Sequence, residues 1–196
     1  VSGENAGMYT VTPSGAADAN YSISFVTTTF SITKAPLTVT ADSGISKVYG
    51  VTTDPALTYT ITGFVSGNEE GDLDTGVSIS RASGENAQMY TVTPSGAADS
   101  NYSVSFVTAD FSITAKELTI TGLTGDNKVY DDTTDATASG TPVLSGVVSG
   151  DDVVLGGTPV FTFESAELGT DIAITTTGFI ITGSNNGNYT LTQPTL

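Results

Sequence analysis

The side chains of this chain that could do chemistry are carboxylates. Three groups of them stand close together in sequence: Glu69, Glu70, Asp72 and Asp74; Asp131, Asp132 and Asp135; and Asp151 with Asp152. Calcium takes six to eight oxygens, and clustered carboxylates on glycine-containing loops can supply them. None of the three runs has EF-hand or calcium-binding nonapeptide spacing, so the competing reading is solvated loop charge. Asp131 and Asp132 fall near a module boundary, where an ion would stiffen a joint. Lys47 and Lys128 recur in matching Lys-Val-Tyr runs. A lysine repeated at equivalent positions is a candidate for an intramolecular amide with Asn or Asp.

Other chemistry has little to work with. The chain has no His, no Cys and no Trp. The commonest general base, the thiol nucleophile and the usual sugar-stacking platform are therefore all missing. The expectation is that the protein is not an enzyme and carries no cofactor, calcium being the one candidate. Asn-Tyr-Ser/Thr occurs at Asn20, Asn101 and Asn188. Formally these are glycosylation sequons. The structural reading is that Asn makes a turn and the following Tyr opens a core strand, its hydroxyl returning to backbone.

Asp plus Glu number 21 against 5 Lys plus Arg, a formal charge of −16. Such a surface repels phosphate backbones and anionic headgroups, so neither a nucleic-acid partner nor membrane insertion is expected. No stretch has the apolar length to span a bilayer. No basic-then-apolar leader opens at Val1, which reads as mid-domain sequence.

The dominant feature is self-similarity. At an offset of 81, residues 2–33 return as residues 83–114, with Gly7, Ala19, Ile23, Thr28 and Thr29 the only positions that change. The same offset carries Lys47-Val48-Tyr49 onto Lys128-Val129-Tyr130. A fainter copy, Gly187-Asn188-Tyr189-Thr190-Leu191, echoes Ala19-Asn20-Tyr21-Ser22-Ile23. The expected divisions are the second half of one module at 1–34, a complete module at 35–115 and a divergent one at 116–196. The period is too long for a solenoid and suits an array of independent domains.

Within each module, apolar and polar residues alternate: Tyr21, Ile23 and Phe25; Tyr102, Val104 and Phe106; Leu37 and Val39; Leu118 and Ile120. Period two with one polar face predicts antiparallel sheet. Turn-rich clusters about every ten residues point to an all-β fold of tandem sandwich modules. The short helical candidates are 16–18 and 165–168. The aromatic core is expected at Tyr21, Tyr102, Tyr189, Phe30, Phe111, Tyr49 and Tyr130. Linkers of two or three residues near Lys34-Ala35-Pro36 and Ala115-Lys116-Glu117 predict a semi-rigid rod of modules, each ~35 Å long.

Two signatures carry a family resemblance. Lys47-Val48-Tyr49-Gly50, Asp54-Pro55-Ala56-Leu57-Thr58-Tyr59, Gly63-Phe64-Val65-Ser66-Gly67 and Met89-Tyr90-Thr91-Val92 make the middle module resemble the MBG domain of the YGX type. Lys128-Val129-Tyr130-Asp131-Asp132-Thr133-Thr134 and Leu144-Ser145-Gly146-Val147-Val148-Ser149-Gly150-Asp151-Asp152-Val153 make the last one resemble the YDG domain. Asp132 stands where the YDG pattern has Gly. The resemblance implies Ig-like β-sandwiches of large secreted bacterial adhesins, with no catalytic residues to carry over. The expected function is a structural spacer at the bacterial cell surface or in an extracellular matrix. Its partners would be neighbouring modules or identical subunits. The alternatives are a polymerising fibre subunit using strand complementation, and a polysaccharide- or protein-binding module.

Overall fold

A computed structural model describes residues 5–65 and 67–196. The described chain is all-β. The strands are β1 (Gly7–Val11), β2 (Thr28–Ile32), β3 (Ala35–Ala41), β4 (Ser46–Val48), β5 (Tyr59–Thr62), β6 (Ser78–Arg81), β7 (Met89–Ser95) and β8 (Tyr102–Val107). They continue with β9 (Ala109–Thr114), β10 (Lys116–Gly125), β11 (Asp135–Ala136), β12 (Ala138–Ser145), β13 (Val154–Phe163), β14 (Ile174–Thr182) and β15 (Tyr189–Leu191). Neither 16–18 nor 165–168 is helical. The helical turns among the described residues are single 3-10 turns at Glu70–Asp72 and Asn186–Asn188.

The chain divides into two compact units. The first comprises Val1–Ile45, Ala56–Ala82 and Thr91–Phe111; the second comprises Ser46–Pro55, Ser83–Tyr90 and Ser112–Leu196. The second unit thus takes three segments of the middle sequence module, Ser46–Pro55 with β4, Ser83–Tyr90 and the end of β9, together with the whole of the last one.

In the first unit β1 and β2 form an antiparallel pair, with Gly7 opposite Ile32 and Val11 opposite Thr28. β3 lies between β5 and β8, antiparallel to β5 and parallel to β8, with Ala35 opposite Tyr102. β6 pairs antiparallel with β7. Burial follows the pleat: Leu37, Val39 and Ala41 of β3 are buried, and so is Val92 of β7. Alternate residues of a strand point to one face, so Leu37, Val39 and Ala41 all turn to the core.

The second unit repeats this pattern. β10 lies between β12 and β15, antiparallel to the first and parallel to the second, with Lys116 opposite Tyr189. β11, β13 and β14 form the other sheet of the last module. β4 pairs parallel with β9. Leu118, Ile120, Ile174 and Phe179 are buried. The β10–β12 register shifts between Thr121 and Leu123, where Gly122 has φ 83°. A Cβ on Gly122 would sit 2.4 Å from the Thr141 carbonyl oxygen, and one on Gly140 2.1 Å from that of Gly122. Only glycines let the two backbones approach this closely at the bulge.

Two expectations need correction. The sheets are mixed, not purely antiparallel, because β3–β8, β4–β9 and β10–β15 run parallel. Alternation reveals which face a residue takes but not the direction of the neighbouring strand, and the long connections here permit parallel pairing. The aromatic core is also smaller than expected. Phe111, Tyr102 and Tyr189 are buried, at 0%, 4% and 6% exposure. Tyr49 is half-buried. Tyr21 is 75% exposed, Tyr130 53% and Phe30 44%. Phe30 stacks on Tyr9 at 5.3 Å, yet among the described residues no counterpart of β3 or β5 covers that pair or Tyr21. The same residue types are buried at offset 81, where the covering strands exist.

Candidate functional site

The most chemically specific cluster joins the middle sequence module to the last one and lies wholly within the second unit. It begins with the end of β4. The Tyr49 N–H donates to the Thr114 carbonyl at 2.9 Å, and the Val51 N–H donates to that of Val48 at 3.2 Å. Gly50, at φ 86°, completes this turn in the left-handed region that glycine occupies without strain. Tyr49 is thereby aimed at the last module. There its hydroxyl donates to Asp151 Oδ2 at 2.9 Å. Asp151 sits in the turn between β12 and β13, its N–H bonded to the Val148 carbonyl at 3.1 Å.

The same carboxylate oxygen accepts the hydroxyl of Tyr189, the first residue of β15. Tyr189 in turn accepts the Val148 N–H at 2.9 Å. The two tyrosine rings meet edge to face, 5.3 Å apart at 77°. Burial, and then the adjacent Asp151 carboxylate, push the Tyr189 hydroxyl up to about 12 and that of Tyr49 above its usual value. Ionising either phenol would bury a second negative charge beside Asp151. Packing is close, since a Cβ on Gly50 would lie 2.7 Å from Val148 Cγ2.

A second contact flanks the first. Asn188 is buried; its Oδ1 accepts the Ala87 N–H at 2.8 Å, and its Nδ2 donates to Asn86 Oδ1 at 3.3 Å. The loop that presents Ala87 is held by Tyr90, whose hydroxyl donates to the Asn86 carbonyl at 3.0 Å. The first unit contains the same arrangement. The Ala6 N–H donates to Asn101 Oδ1 at 2.8 Å, and the Tyr9 hydroxyl donates to the Asn5 carbonyl at 2.6 Å. Ala6 and Ala87 are 81 residues apart, the repeat offset. The Tyr102 hydroxyl accepts the Val65 N–H at 3.1 Å and Asn68 Nδ2 at 2.9 Å. Asn68 therefore holds the place in the middle module that Asp151 holds in the last.

These hydrogen bonds give the Asn-Tyr-Ser/Thr motifs a structural role. Asn101 and Asn188 receive the loop of the preceding module, and each following Tyr reaches a backbone N–H some forty residues upstream in the chain. Asn20 is exposed, with its own N–H bonded to Asp18 at 2.7 Å. The recurrence of Ser-Gly-Glu-Asn-Ala and of Asn-Tyr is plain in the sequence. That Asn86, Ala87 and Asp151 face residues about a hundred positions away is not, because no local pattern encodes such pairing.

The acidic groups do not converge. Among the described residues no three or more carboxylates are arranged to hold a metal ion. Asp72 accepts the Glu69 N–H at 2.8 Å, Glu70 accepts the Tyr59 hydroxyl, and Asp74 accepts the Ser100 N–H at 2.8 Å. Asp131 accepts Lys128 Nζ at 2.7 Å and the Thr133 N–H at 3.1 Å, bonds that hold its carboxyl below the usual range. Asp132 takes φ 60° and accepts the Tyr130 hydroxyl at 3.2 Å. It thus adopts the positive-φ turn for which the family pattern uses Gly, a conformation Asp tolerates better than most residues. Asp135 lies on β11 opposite Thr162. Asp152 accepts the Ser184 N–H at 3.0 Å and its hydroxyl at 3.1 Å. The carboxylates of Glu70, Asp72, Asp74, Asp131, Asp132, Asp151 and Asp152 thus close a turn or bind a neighbouring hydroxyl.

Lys47 is buried and pairs with Asp54 at 2.7 Å and with Glu85. Its hydrogen bonds to Asp54 and then Glu85 raise its pKa, so it is a charged ammonium. Amide formation would need a neutral amine beside an un-ionised acid. The arrangement favours an ion pair, with both carboxylates reaching solvent.

Compared with known protein families, residues 37–112 match the MBG domain (YGX type) and residues 114–196 match the YDG domain. No curated protein and no solved structure matches the chain.

Proposed function

The chain belongs to the MBG (YGX type) and YDG domain families, carried in tandem, and from that premise we propose that it is a structural spacer of a bacterial surface adhesin or extracellular matrix protein. The observation that carries this reading is the repeated joint. Ala6 on Asn101 and Ala87 on Asn188 use one backbone N–H and one asparagine carbonyl in the same way, each at 2.8 Å. A chain selected to keep successive domains at a fixed angle needs such a recurring contact. A chain of domains that act independently does not.

In this reading the modules are Ig-like sandwiches in a semi-rigid rod outside the cell. The work done is mechanical. Joint hydrogen bonds and short connections limit bending, and a formal charge of −16 keeps neighbouring arrays apart in solution. No reaction is assigned to the chain. Small-angle scattering on arrays of increasing module number tests the reading. Spacing predicts a maximum dimension that grows by ~35 Å with each module, and a compact particle whose length does not grow would sink it.

One observation favours a second reading. Met8, Tyr21, Val26 and Phe30 form an exposed apolar series on residues 5–34. Met8 lies on β1 and Phe30 on β2, while Tyr21 and Val26 lie on the connection between them; exposed apolar surface beside a two-stranded sheet invites pairing with another chain, as in a fibre whose subunits complement one another. Regular end-to-end filaments in negative-stain micrographs would favour this second reading, and discrete short particles would favour the spacer.

A further inference from the structure

The last module carries a face equivalent to the one that Tyr49 and the Ser83–Gln88 loop present. Lys128-Val129-Tyr130 matches Lys47-Val48-Tyr49 at the repeat offset. The β13–β14 connection occupies the place of the β6–β7 connection. Together they line an open recess that includes Lys128, Tyr130, Phe163, Leu168 and Asp171. Tyr49 is half-buried against Tyr189 and Asp151, whereas Tyr130 and Leu168 are exposed.

The two faces differ in charge. After Tyr49 come Gly50 and Val51; after Tyr130 come Asp131 and Asp132. Tyr49, followed by the uncharged Gly50 and Val51, meets a socket whose acceptor is a carboxylate, Asp151. A socket of that kind brought to Tyr130 would set its carboxylate against Asp132, which already holds the Tyr130 hydroxyl at 3.2 Å. Like charges at that range repel strongly once partly desolvated. The socket of the middle module has Asn68 at the same place. An asparagine amide has a donor for the Asp132 carboxylate and an acceptor for the Tyr130 hydroxyl.

We propose that Tyr130 and Asp132 form a docking face for a further module whose socket carries Asn, as at Asn68, and that a socket carrying Asp is rejected. The occupant is a module of the middle kind, with an Asn-Tyr-Ser/Thr corner. The proposal rests on the tandem-array reading and adds a rule for which module follows which.

The test extends the full chain after Leu196 with a second copy of residues 31–115. Leu196 exchanges backbone hydrogen bonds with Ile174, at 2.8 and 3.0 Å. Residues 31–34 lead from there into the added copy through the same connection that precedes β3. Four versions are compared by equilibrium unfolding: the extended chain, one with Asn68→Asp in the added copy, one with Asp132→Asn, and one with both changes. The expected result is that Asn68→Asp in the added copy raises the unfolding equilibrium constant about tenfold, and that Asp132→Asn removes most of that rise. Asn68→Asp at the original position 68 controls for effects inside the module. As a milder probe, Tyr130→Phe should weaken the extended chain and leave the unextended chain unchanged.

Additive effects at 132 and the added 68, with Tyr130→Phe silent in both chains, would overturn the proposal. Scattering on the same extended chain separates this from the spacer reading. A longer particle without coupling removes only the docking rule. Coupling in a particle that fails to lengthen removes the spacer.

Discussion

At the scale of single residues, the joint chemistry predicts sharp differences between positions with the same sequence motif. Asn188→Ala removes a buried acceptor and leaves the Ala87 N–H without its partner. The expected loss is about 1–3 kcal/mol. Asn20→Ala, at an exposed copy of the same motif, should change stability by less than ~0.5 kcal/mol. Thermal melts of both variants check the contrast, and equal losses would contradict the placement of Asn188. Gly50→Ala forces φ 86° on a residue with a Cβ and drives that atom towards Val148. It should cost about 1–2 kcal/mol or more. Tyr189 adds a pH dependence. Its pKa is ordinary, near 10, in the unfolded chain and about 12 when folded. The folded state therefore favours the neutral phenol. That stabilisation is fully present below pH 10 and is lost as the pH rises from 10 through 12. Urea midpoints measured across that window should fall steeply, and Tyr189→Phe should flatten the slope.

At the scale of elements, the covering strands decide what an aromatic residue contributes. Tyr102→Ala should cost ~3 kcal/mol or more, since Tyr102 is buried against Phe64 and bonded to Val65. Tyr21→Ala should fall within ~0.5 kcal/mol, since its ring lies in solvent. A melt that ranks them the other way would overturn this account of the two copies. The pair also shows what was legible in the sequence. Alternation in Leu37-Thr38-Val39 and Leu118-Thr119-Ile120 announced strands and their buried faces. The 81-residue repeat announced equivalent positions. Nothing in Asn20-Tyr21-Ser22 distinguishes it from Asn101-Tyr102-Ser103, because burial depends on β3 and β5 lying across from it. Parallel pairing of β3 with β8 was hidden for the same reason: it is a relation between segments more than sixty residues apart. The use of Asp151 as a double hydroxyl acceptor was likewise invisible, although the carboxylate itself stood out as an ionisable group.

At the scale of the whole molecule, the charge of −16 acts on every state of the chain. Self-repulsion is strongest in the compact form, so screening should stabilise the fold. Raising sodium chloride from ~0.01 M to ~0.15 M shortens the screening length from ~30 Å to ~8 Å and should raise the melting temperature. A fall on adding salt would mean that attractive ion pairs, such as Lys47 with Asp54, outweigh the net repulsion. The two halves of each joint lie far apart in the chain: 102 residues separate Tyr49 from Asp151, 101 separate Ala87 from Asn188, and 95 separate Ala6 from Asn101. The middle module carries a loop for the module after it and a corner for the module before it. A genetic crossover between two arrays that keeps repeat phase, and that leaves a module with an Asn socket after each Asp132-type face, therefore regenerates a matched joint. A crossover out of phase severs a loop from its corner. The gene can lengthen or shorten by whole modules and still encode contacts that fit, provided the order of socket types is kept.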